Sequence, residues 1–346
     1  RPAKKVGAAP NTTKEVNMAI KLQQVRRVRR WMMILLLVVM IIVVFSLNVH
    51  RSYRTDNHPR LGNVANVDSD IPYCAGQDKQ KFDLYTPINS LLNTHTTPYP
   101  LVIYIHGGGW HKGDKRNSLL DYYGSSLTAA GFAVASVNYR LAPKYHYPTQ
   151  NNDIACAIDT IAKLASSYDI DTNNVILFGD SAGGLLASDY VLTRQDSPIT
   201  VRGVISFYGT TDLVNQLQRT KRNPNAYKFL GTRNVDTARV ASPLYQPITK
   251  TPPPFLFFHG TKDSIVSIEQ AYKFYQRILA YQPSSRFIRV ANAGHGFNDS
   301  GRSTKPTSDE IRRTLTLFAL KHINSDQAET QAQTTPEKVQ ILLDND

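Results

Sequence analysis

Residues 175–184 read VILFGDSAGG, a short apolar run that stops at a glycine and then presents a serine. The pattern is G-x-S-x-G, in which a strand turns sharply into a helix and exposes the serine hydroxyl. Both flanking glycines are needed because a Cβ there would collide with the closely packed helix. Apolar residues follow with helical spacing at Leu185, Leu186, Ala187 and Val191. The stretch therefore predicts a nucleophile elbow carrying Ser181, against the alternative of a surface turn with an idle serine.

A second glycine motif lies upstream, where the apolar run 101–105 ends in HGGGW at residues 106–110. An acyl-transfer site must hold the oxyanion of a tetrahedral intermediate with preorganised N–H groups, and glycines let the backbone approach that oxygen. In the elbow architecture a further donor is the N–H of the residue after the nucleophile, here Ala182. The motif therefore predicts an oxyanion hole.

A serine hydroxyl becomes a useful nucleophile when a base takes its proton and a carboxylate orients that base. Among nine histidines, His295 lies in a glycine-bracketed loop after the apolar run 287–290. Asp263 lies in the loop after the run 255–258, between the serine and the histidine. This gives the order Ser, Asp, His, which is typical of this architecture. His259, at a strand end beside a glycine, receives no role.

Three other carboxylates compete for the role of the acid. Asp212 follows the run 204–208 and would serve if the acid lay one strand earlier. Asp299 lies too close to His295 in sequence to be the usual partner. Asp180, inside the elbow, is expected to brace the turn by hydrogen bonding.

Continuous apolar runs alternate with helical stretches along the chain. Such runs suit strands that are buried on both faces, so we expect a mostly parallel sheet with helices on both faces. The strand runs are 101–105, 132–137, 175–178, 204–208, 255–258 and 287–290. Two helical stripes are expected to face the core: Ile154, Ile158, Ile161 and Leu164, and then Ile268, Tyr272, Tyr275 and Leu279 after a capping box of Ser267 and Gln270.

Taken together, the motifs resemble those of the α/β-hydrolase superfamily, and within it the hormone-sensitive-lipase-like and feruloyl-esterase-like (BD-FAE-type) carboxylesterases. The resemblance covers roughly residues 80–322; its motifs are KFDLYTP at 81–87, HGGGW at 106–110, NYRLAP at 138–143, GDSAGG at 179–184, HGTKDSIV at 259–266 and GHGF at 294–297. It implies an α/β-hydrolase fold in which Ser181 is the nucleophile, Asp263 the orienting acid and His295 the base. It also implies that the amides of Gly108, Gly109 and Ala182 form the oxyanion hole.

A large cap before HGGGW is missing, so any lid is expected to be small. Residues 210–251 lie between two strand runs and are expected to form the pocket wall or lid. The candidate pocket contacts are Trp110, Tyr227, Phe229 and Leu230, unless these side chains pack as ordinary core.

Residues 31–47, WMMILLLVVMIIVVFSL, form an apolar segment that Ser46 interrupts near its end. At ~1.5 Å per residue such a helix spans roughly 25 Å, which is slightly short of the hydrocarbon core but workable with flanking arginines. A single transmembrane helix over 31–49 is predicted. A cleaved secretory signal, giving a secreted protein, is the alternative, but the basic region before it is long and no A-x-A-like tripeptide follows.

The net charge of +13 is concentrated at the start of the chain. Residues 1–60 hold 12 of the 40 Lys and Arg but 2 of the 27 acidic residues, which leaves +3 for the rest. Nucleic-acid binding therefore has little support. Basic residues near the apolar segment number six before it and three after it, which favours a cytoplasmic N-terminus and a periplasmic catalytic domain. They are Lys14, Lys21, Arg26, Arg27, Arg29 and Arg30, against Arg51, Arg54 and Arg60.

The sequence is thus divided into a basic cytoplasmic tail (1–30), a transmembrane helix (31–49), a tether (50–70), an α/β-hydrolase catalytic domain (71–324) and a polar C-terminal tail (325–346). Cys74 and Cys156 lack metal-ligand spacing and leave two alternatives open, a disulfide outside the cytoplasm or two separate thiols. Motifs for phosphate, zinc or calcium binding are absent, so no metal or other cofactor is expected.

These observations predict a membrane-anchored serine carboxylic-ester hydrolase that forms an acyl-enzyme on a small-molecule or polysaccharide-linked ester. A serine peptidase or an arylformamidase of the same fold is the first alternative. The second is a non-catalytic binding protein, whose signature would be a broken triad. The sequence leaves the acyl and alcohol groups open.

Overall fold

The computed structural model describes residues 61–76, 79–88, 98–219, 224–297 and 303–323. The predicted basic tail, the predicted transmembrane helix at 31–49, tether residues 50–60 and the C-terminal tail from 325 lie outside the described residues. Among the residues described, no helix combines the length and the apolar character needed to cross a bilayer.

An eight-stranded sheet organises the described part of the chain, in the order β1-β2-β4-β3-β5-β6-β7-β8. The strands are β1 (Ala65–Pro72), β2 (Lys81–Pro87), β3 (Tyr99–Ile105), β4 (Ala133–Val137), β5 (Ile170–Asp180), β6 (Val201–Phe207), β7 (Phe255–Gly260) and β8 (Arg286–Val290). β2 runs antiparallel to its neighbours β1 and β4, and the other pairs are parallel. The predicted mostly parallel sheet is therefore confirmed, and each of the six apolar runs coincides with one of β3 to β8.

Helices cover both faces of this sheet. They are α1 (Leu61–Val64), α2 (Ser118–Ala129), α3 (Thr149–Leu164), α4 (Ala182–Thr193), α5 (Leu213–Arg219), α6 (Asn225–Leu230), α7 (Val235–Val240), α8 (Ile268–Leu279) and α9 (Ser308–His322). Side chains of β3 alternate between the hydrophobic cores on the two faces of the sheet. Ile103 and Ile105 lie in the core that includes α3, α4 and α8. Val102 and Tyr104 lie in the core that includes α2 and α9. This alternation follows from the period of two in a strand. Helices on both faces, as predicted, leave the carboxyl ends of the parallel strands as the place for a site.

Residues 61–70 correct the predicted boundary between tether and domain. They form α1 and most of β1, and β1 pairs with β2 from Ala65 to Pro72. Most side chains of β1 are exposed because it is the edge strand. Its polar composition therefore looks like that of a linker, although its backbone belongs to the sheet.

One of the two predicted helical stripes is confirmed and the other is wrong by about one residue. Ile154, Ile158 and Ile161 are buried on α3. On α8 the buried residues are Gln270, Ala271, Phe274 and Ile278, whereas Tyr272 is 45% exposed. Phe274 packs edge-on against Phe255 and Phe257 of the sheet, with ring centroids 5.8 Å apart in both pairs. Contact with these aromatic residues of β7 therefore determines which face of α8 is buried.

The start of α8 agrees with the predicted cap but not with the predicted box. Ser267 caps the helix by accepting the N–H of Glu269. The side chain of Gln270 instead accepts the N–H groups of Thr211 and Asp212, each at 2.9 Å. The Gln270 side-chain oxygen, which would accept the N–H of Ser267 in a capping box, thus accepts two buried N–H groups in the loop after β6.

Cys74 and Cys156 form a disulfide, with Cα atoms 6.1 Å apart and 82 positions between them in sequence. The bond joins the segment after β1 to α3. Of the two alternatives that the sequence left open, the structure contains the disulfide.

Candidate active site

Ser181 lies between the end of β5 at Asp180 and the start of α4 at Ala182. Its backbone has φ 50° and ψ −111°, a strained conformation for a residue with a side chain. The turn is held by its neighbours, because Ser181 donates its N–H to Phe207 O at 2.8 Å and Thr210 donates to Ser181 O at 3.2 Å. A Cβ on Gly179 would collide with Gly183 O, so the sharp turn requires glycine there.

The structure brings Ser181, His295 and Asp263 together from three separate parts of the chain. His295 begins the short 3₁₀ turn His295–Phe297 after β8, and Asp263 lies in the turn after β7. Ser181 Oγ is 2.9 Å from His295 Nε2, and His295 Nδ1 is 2.8 Å from Asp263 Oδ2. Because Nδ1 faces a carboxylate, it carries the imidazole hydrogen, and Nε2 is left to accept the serine hydroxyl.

The carboxylate of Asp263 is fully buried and fully hydrogen-bonded. Its Oδ1 accepts the N–H groups of Ile265 and Val266, each at 2.9 Å. Burial raises the pKa of the Asp263 carboxyl, but hydrogen bonds from His259 and His295 outweigh burial and hold the pKa below its usual range. Asp263 is therefore charged at neutral pH and can stabilise an imidazolium at His295.

The rival acid Asp212 makes other contacts. Asp212 Oδ1 accepts the N–H of Asn215 at 3.0 Å near the start of α5, and its Oδ2 accepts the hydroxyl of Tyr245 at 3.2 Å. Both of its carboxylate oxygen atoms thus accept hydrogen bonds from residues other than His295. Asp299 lies outside the described residues.

Asp180 braces the elbow against residues 106–110, the candidate oxyanion loop, which we call the oxyanion loop. Its Oδ1 accepts the N–H of Gly107 at 2.8 Å and the hydroxyl of Tyr104 at 2.7 Å. Burial raises the pKa of Asp180, and these two hydrogen bonds offset part of that rise. The contacts agree with the bracing role expected from the sequence and extend it to a second loop.

Three backbone N–H groups of the two glycine motifs donate to no protein acceptor in the described part of the chain. Gly107 uses its N–H on Asp180, but Gly108 and Gly109 donate none of the loop hydrogen bonds. Ala182 is the first residue of α4, so its N–H has no partner within the helix. Gly108 and Gly109 have φ 111° and 60°, values that favour glycine.

The four candidate pocket residues divide between core and surface. Trp110 is buried and stacks on Phe229, with ring centroids 4.4 Å apart, and Leu230 is buried in the same core. Tyr227 is 42% exposed, with the guanidinium of Arg233 5.0 Å from its ring centroid. A Cβ on Gly109 would collide with the side chain of Asn225, the first residue of α6. Helix α6 therefore packs directly against the oxyanion loop.

Two side chains at this site were not assigned by sequence reasoning. The buried ring of Tyr208 packs edge-on against the ring of His295, with centroids 4.7 Å apart. The Nε2 atom of the buried His259 lies 3.2 Å from Asp263 Oδ2. Tyr208 gave no signal because it ends an apolar run, whereas His259 stands four residues before the acid in HGTKD, a spacing from which a role beside Asp263 could have been predicted.

Comparison with known proteins gives one matching family model and several curated relatives. The BD-FAE family model matches residues 82–278. Esterase LipC of Mycobacterium tuberculosis is 31% identical over 62% of this chain and 58% of its own length. The probable carboxylic ester hydrolase LipM of the same organism is 28% identical over 66% of this chain and 56% of its own length. The chain thus spans less than two thirds of the length of these two relatives.

Solved structures agree with the fold. A bacterial heroin esterase matches with a TM-score of 0.63 and 21% identity over 82% of this chain and 91% of the other. A truncated carbohydrate esterase from gut microbiota matches with a TM-score of 0.62 and 19% identity over 79% of this chain and all of the other. At these identities the likeness concerns the fold, and the predicted α/β-hydrolase fold is confirmed. The BD-FAE family model covers more than half of the residues of this chain, and the chain therefore belongs to the BD-FAE family.

Proposed function

We propose that this protein is a serine carboxylic-ester hydrolase that works through an acyl-enzyme. The observation that carries the proposal is the continuous hydrogen-bonded chain from Ser181 Oγ through His295 to Asp263, with distances of 2.9 and 2.8 Å. The unpaired N–H groups of Gly108, Gly109 and Ala182 add the second requirement, a place for an oxyanion. Curated relatives named esterase and carboxylic ester hydrolase support the same reaction class.

Acylation begins when Ser181 Oγ attacks the ester carbonyl carbon and His295 Nε2 takes the hydroxyl proton. The carbonyl oxygen becomes an oxyanion, which the N–H groups of Gly108, Gly109 and Ala182 stabilise. The charged Asp263 stabilises the imidazolium. His295 then gives its proton to the alcohol oxygen as the C–O bond of the ester breaks, which leaves an acyl group on Ser181.

Deacylation repeats these steps with water as the nucleophile. His295 takes a proton from water, whose oxygen attacks the acyl carbon, and the oxyanion forms again in the same place. Collapse of this intermediate returns the proton to Ser181 and releases the carboxylic acid. The histidine side chain is 18% exposed, which leaves it accessible to water.

The substrate in this proposal has a short acyl group. The stacked pair of Trp110 and Phe229 and the contact between Asn225 and Gly109 bring α6 against the oxyanion loop. Little apolar surface is then available for a long chain. The alcohol side is a small molecule or a polysaccharide; a structure of this fold is that of a carbohydrate esterase, which puts polysaccharide esters among the substrates to test.

The proposal also places the protein in a membrane, with a cytoplasmic N-terminus and a periplasmic catalytic domain. The apolar stretch 31–49 and the excess of Lys and Arg before it support this topology. The disulfide between Cys74 and Cys156 supports an oxidising compartment for the domain.

A hydrolysis screen tests the reaction class. Wild-type protein and Ser181→Ala are assayed on p-nitrophenyl esters from acetyl to palmitoyl, on feruloyl esters and on acetyl-xylan. We expect ester hydrolysis by the wild type that the substitution abolishes, and a burst of p-nitrophenol equal to the enzyme concentration if deacylation is the slower step. Hydrolysis of amide substrates in preference to esters would overturn the proposal.

A further inference from the structure

His259 is a buried histidine of β7 whose Nε2 atom faces two oxygen atoms. Nε2 lies 3.0 Å from Val266 O and 3.2 Å from Asp263 Oδ2. The side chain is 1% exposed. Two acceptors can share one nitrogen when that nitrogen carries a hydrogen, so His259 holds its hydrogen on Nε2. The Val266 carbonyl is its primary acceptor and Asp263 Oδ2 its second.

This histidine contacts the turn 263–266, which holds the proposed catalytic acid, at two points. Val266 accepts from His259 through its carbonyl and donates its own N–H to Asp263 Oδ1 at 2.9 Å. Asp263 Oδ2, the oxygen that binds His295 Nδ1 at 2.8 Å, also receives the positive end of the His259 N–H dipole. His259 therefore acts on the position of the carboxylate and on the charge that His295 meets.

We propose that His259 is a positioning residue for the acid. It holds the 263–266 turn in place, and its N–H group stabilises part of the negative charge on Asp263 Oδ2, the oxygen that also binds His295. The expected change in kcat rests on the proposed function. The expected change in the protonation of His295 does not, and it can be measured without turnover.

When the His259 N–H donor is removed, His295 is the remaining side chain that stabilises the negative charge on Asp263 Oδ2. The imidazolium form of His295 then becomes more stable, and protonation switches off the base at a higher pH. Within the described residues, the other titratable or charged groups near the pair include Asp180, Tyr208 and Lys262. Asp180 keeps its hydrogen bonds to Tyr104 and Gly107, burial holds the pKa of Tyr208 well above its usual value, and Lys262 is exposed. None of them changes with the substitution.

Two substitutions of His259 separate charge sharing from packing. His259→Leu removes the N–H group and keeps most of the volume, whereas His259→Gln keeps a side-chain N–H. We expect His259→Leu to lower kcat roughly tenfold, the effect of one hydrogen bond to a charged group, with KM little changed. The midpoint of the acid limb of its pH–kcat/KM profile should move to higher pH by about half a unit to one unit. His259→Gln should restore most of both.

Phe274→Leu is the matched control, since Phe274 packs on β7 from α8. It should lower thermal stability and leave the acid limb in place. The readout without turnover is an NMR titration of the His295 imidazole, whose midpoint should move upward in His259→Leu. If His259→Leu does not fold, His259→Gln and His259→Asn give the comparison, because only the longer amide reaches the acceptors.

The outcomes distinguish this inference from the proposed function. Equal loss of kcat in the Leu and Gln variants, with an unchanged acid limb and titration midpoint, would show a packing role and overturn it. A shifted midpoint in a protein that hydrolyses no ester would support His259 as a positioning residue while the proposed function fails.

Discussion

Tyr104 donates a hydrogen bond of 2.7 Å to Asp180, although the two residues are 76 positions apart in the chain. The same carboxylate oxygen accepts the N–H of Gly107 at 2.8 Å. One oxygen atom thus connects the end of β3, the oxyanion loop and the nucleophile elbow. Because Gly107 is held in this way, the N–H groups of Gly108 and Gly109 are positioned relative to Ser181.

The first prediction concerns this connection. Asp180→Ala removes the acceptor, so we expect kcat to fall about 10²-fold, as for a lost oxyanion donor, with a smaller change in KM. Asp180→Asn keeps an acceptor oxygen and should stay within about fivefold of wild type. Steady-state kinetics on a short p-nitrophenyl ester measures both. Equal losses in the two variants would mean that the charge of Asp180, and not its acceptor, matters.

The second prediction concerns the proposed triad. Ser181→Ala and His295→Ala should each lower ester hydrolysis by about 10⁶-fold, and Asp263→Asn by roughly 10⁴-fold, because the amide favours the wrong imidazole tautomer. Asp212→Asn is the control and should remain near wild type. Near-normal turnover by purified Ser181→Ala would sink the mechanism. A larger loss in Asp212→Asn than in Asp263→Asn would change the choice of acid.

The third prediction concerns acyl length. Burial of each CH₂ contributes ~0.8 kcal/mol where apolar surface exists to receive it. Since α6 packs against the oxyanion loop, we expect the site to offer little such surface, and kcat/KM should be higher for butyryl than for palmitoyl esters. The assay uses monomeric substrate below the aggregation threshold of the longer ester. A preference for the palmitoyl ester would contradict the short-acyl site.

The fourth prediction concerns pH and the edge of the sheet. Hydrogen bonds from Lys115 and Arg116 lower the pKa of Asp70 on β1 to about 2. The unfolded value is about 3.9, so the interaction stabilises the fold above pH ~4 and is lost as the pH falls toward 2. Asp70→Asn should therefore lower the free energy of unfolding at pH 7 and make little difference near pH 2. Urea unfolding across this range checks it, with the exposed Asp236→Asn as control.

The fifth prediction concerns topology. Protease added to intact spheroplasts should degrade the hydrolase domain, and membranes washed at high salt should retain the undigested protein. The proposed periplasmic position and the membrane helix at 31–49 are the reasons. Protection in intact spheroplasts with digestion after lysis would reverse the orientation. A soluble form beginning near Leu47 would indicate a cleaved signal instead.

Much of the sheet could be predicted from sequence because β3 to β7 are mostly buried and read as continuous apolar runs. The edge strand β1 could not, since its side chains are mostly exposed and its pairing depends on backbone groups that any residue supplies. The face of α8 was missed for a related reason. Tyr272 and Tyr275 have suitable spacing, but contact with the strand aromatics decides which face is buried, and spacing does not report that contact.

The proposed triad residues could be chosen from sequence because each lies beside a glycine motif or at the end of an apolar run. Their supporting side chains could not. Tyr104 and Tyr208 read as ordinary strand residues, and their contacts with Asp180 and His295 depend on how neighbouring strands are aligned. Similarly, Trp110 and Phe229 were candidates for a pocket, and only the packing of α6 shows that they stack on each other.

The disulfide between Cys74 and Cys156 encloses β2, β3, β4 and the oxyanion loop within one covalent ring. A single peptide-bond cut between the two cysteines therefore produces two fragments that remain attached through sulfur. On a non-reducing gel the nicked protein retains the mass of the intact chain, and it separates into two bands after reduction. Protease accessibility of this domain must consequently be judged on reduced samples, since unreduced ones would count a cleaved molecule as protected.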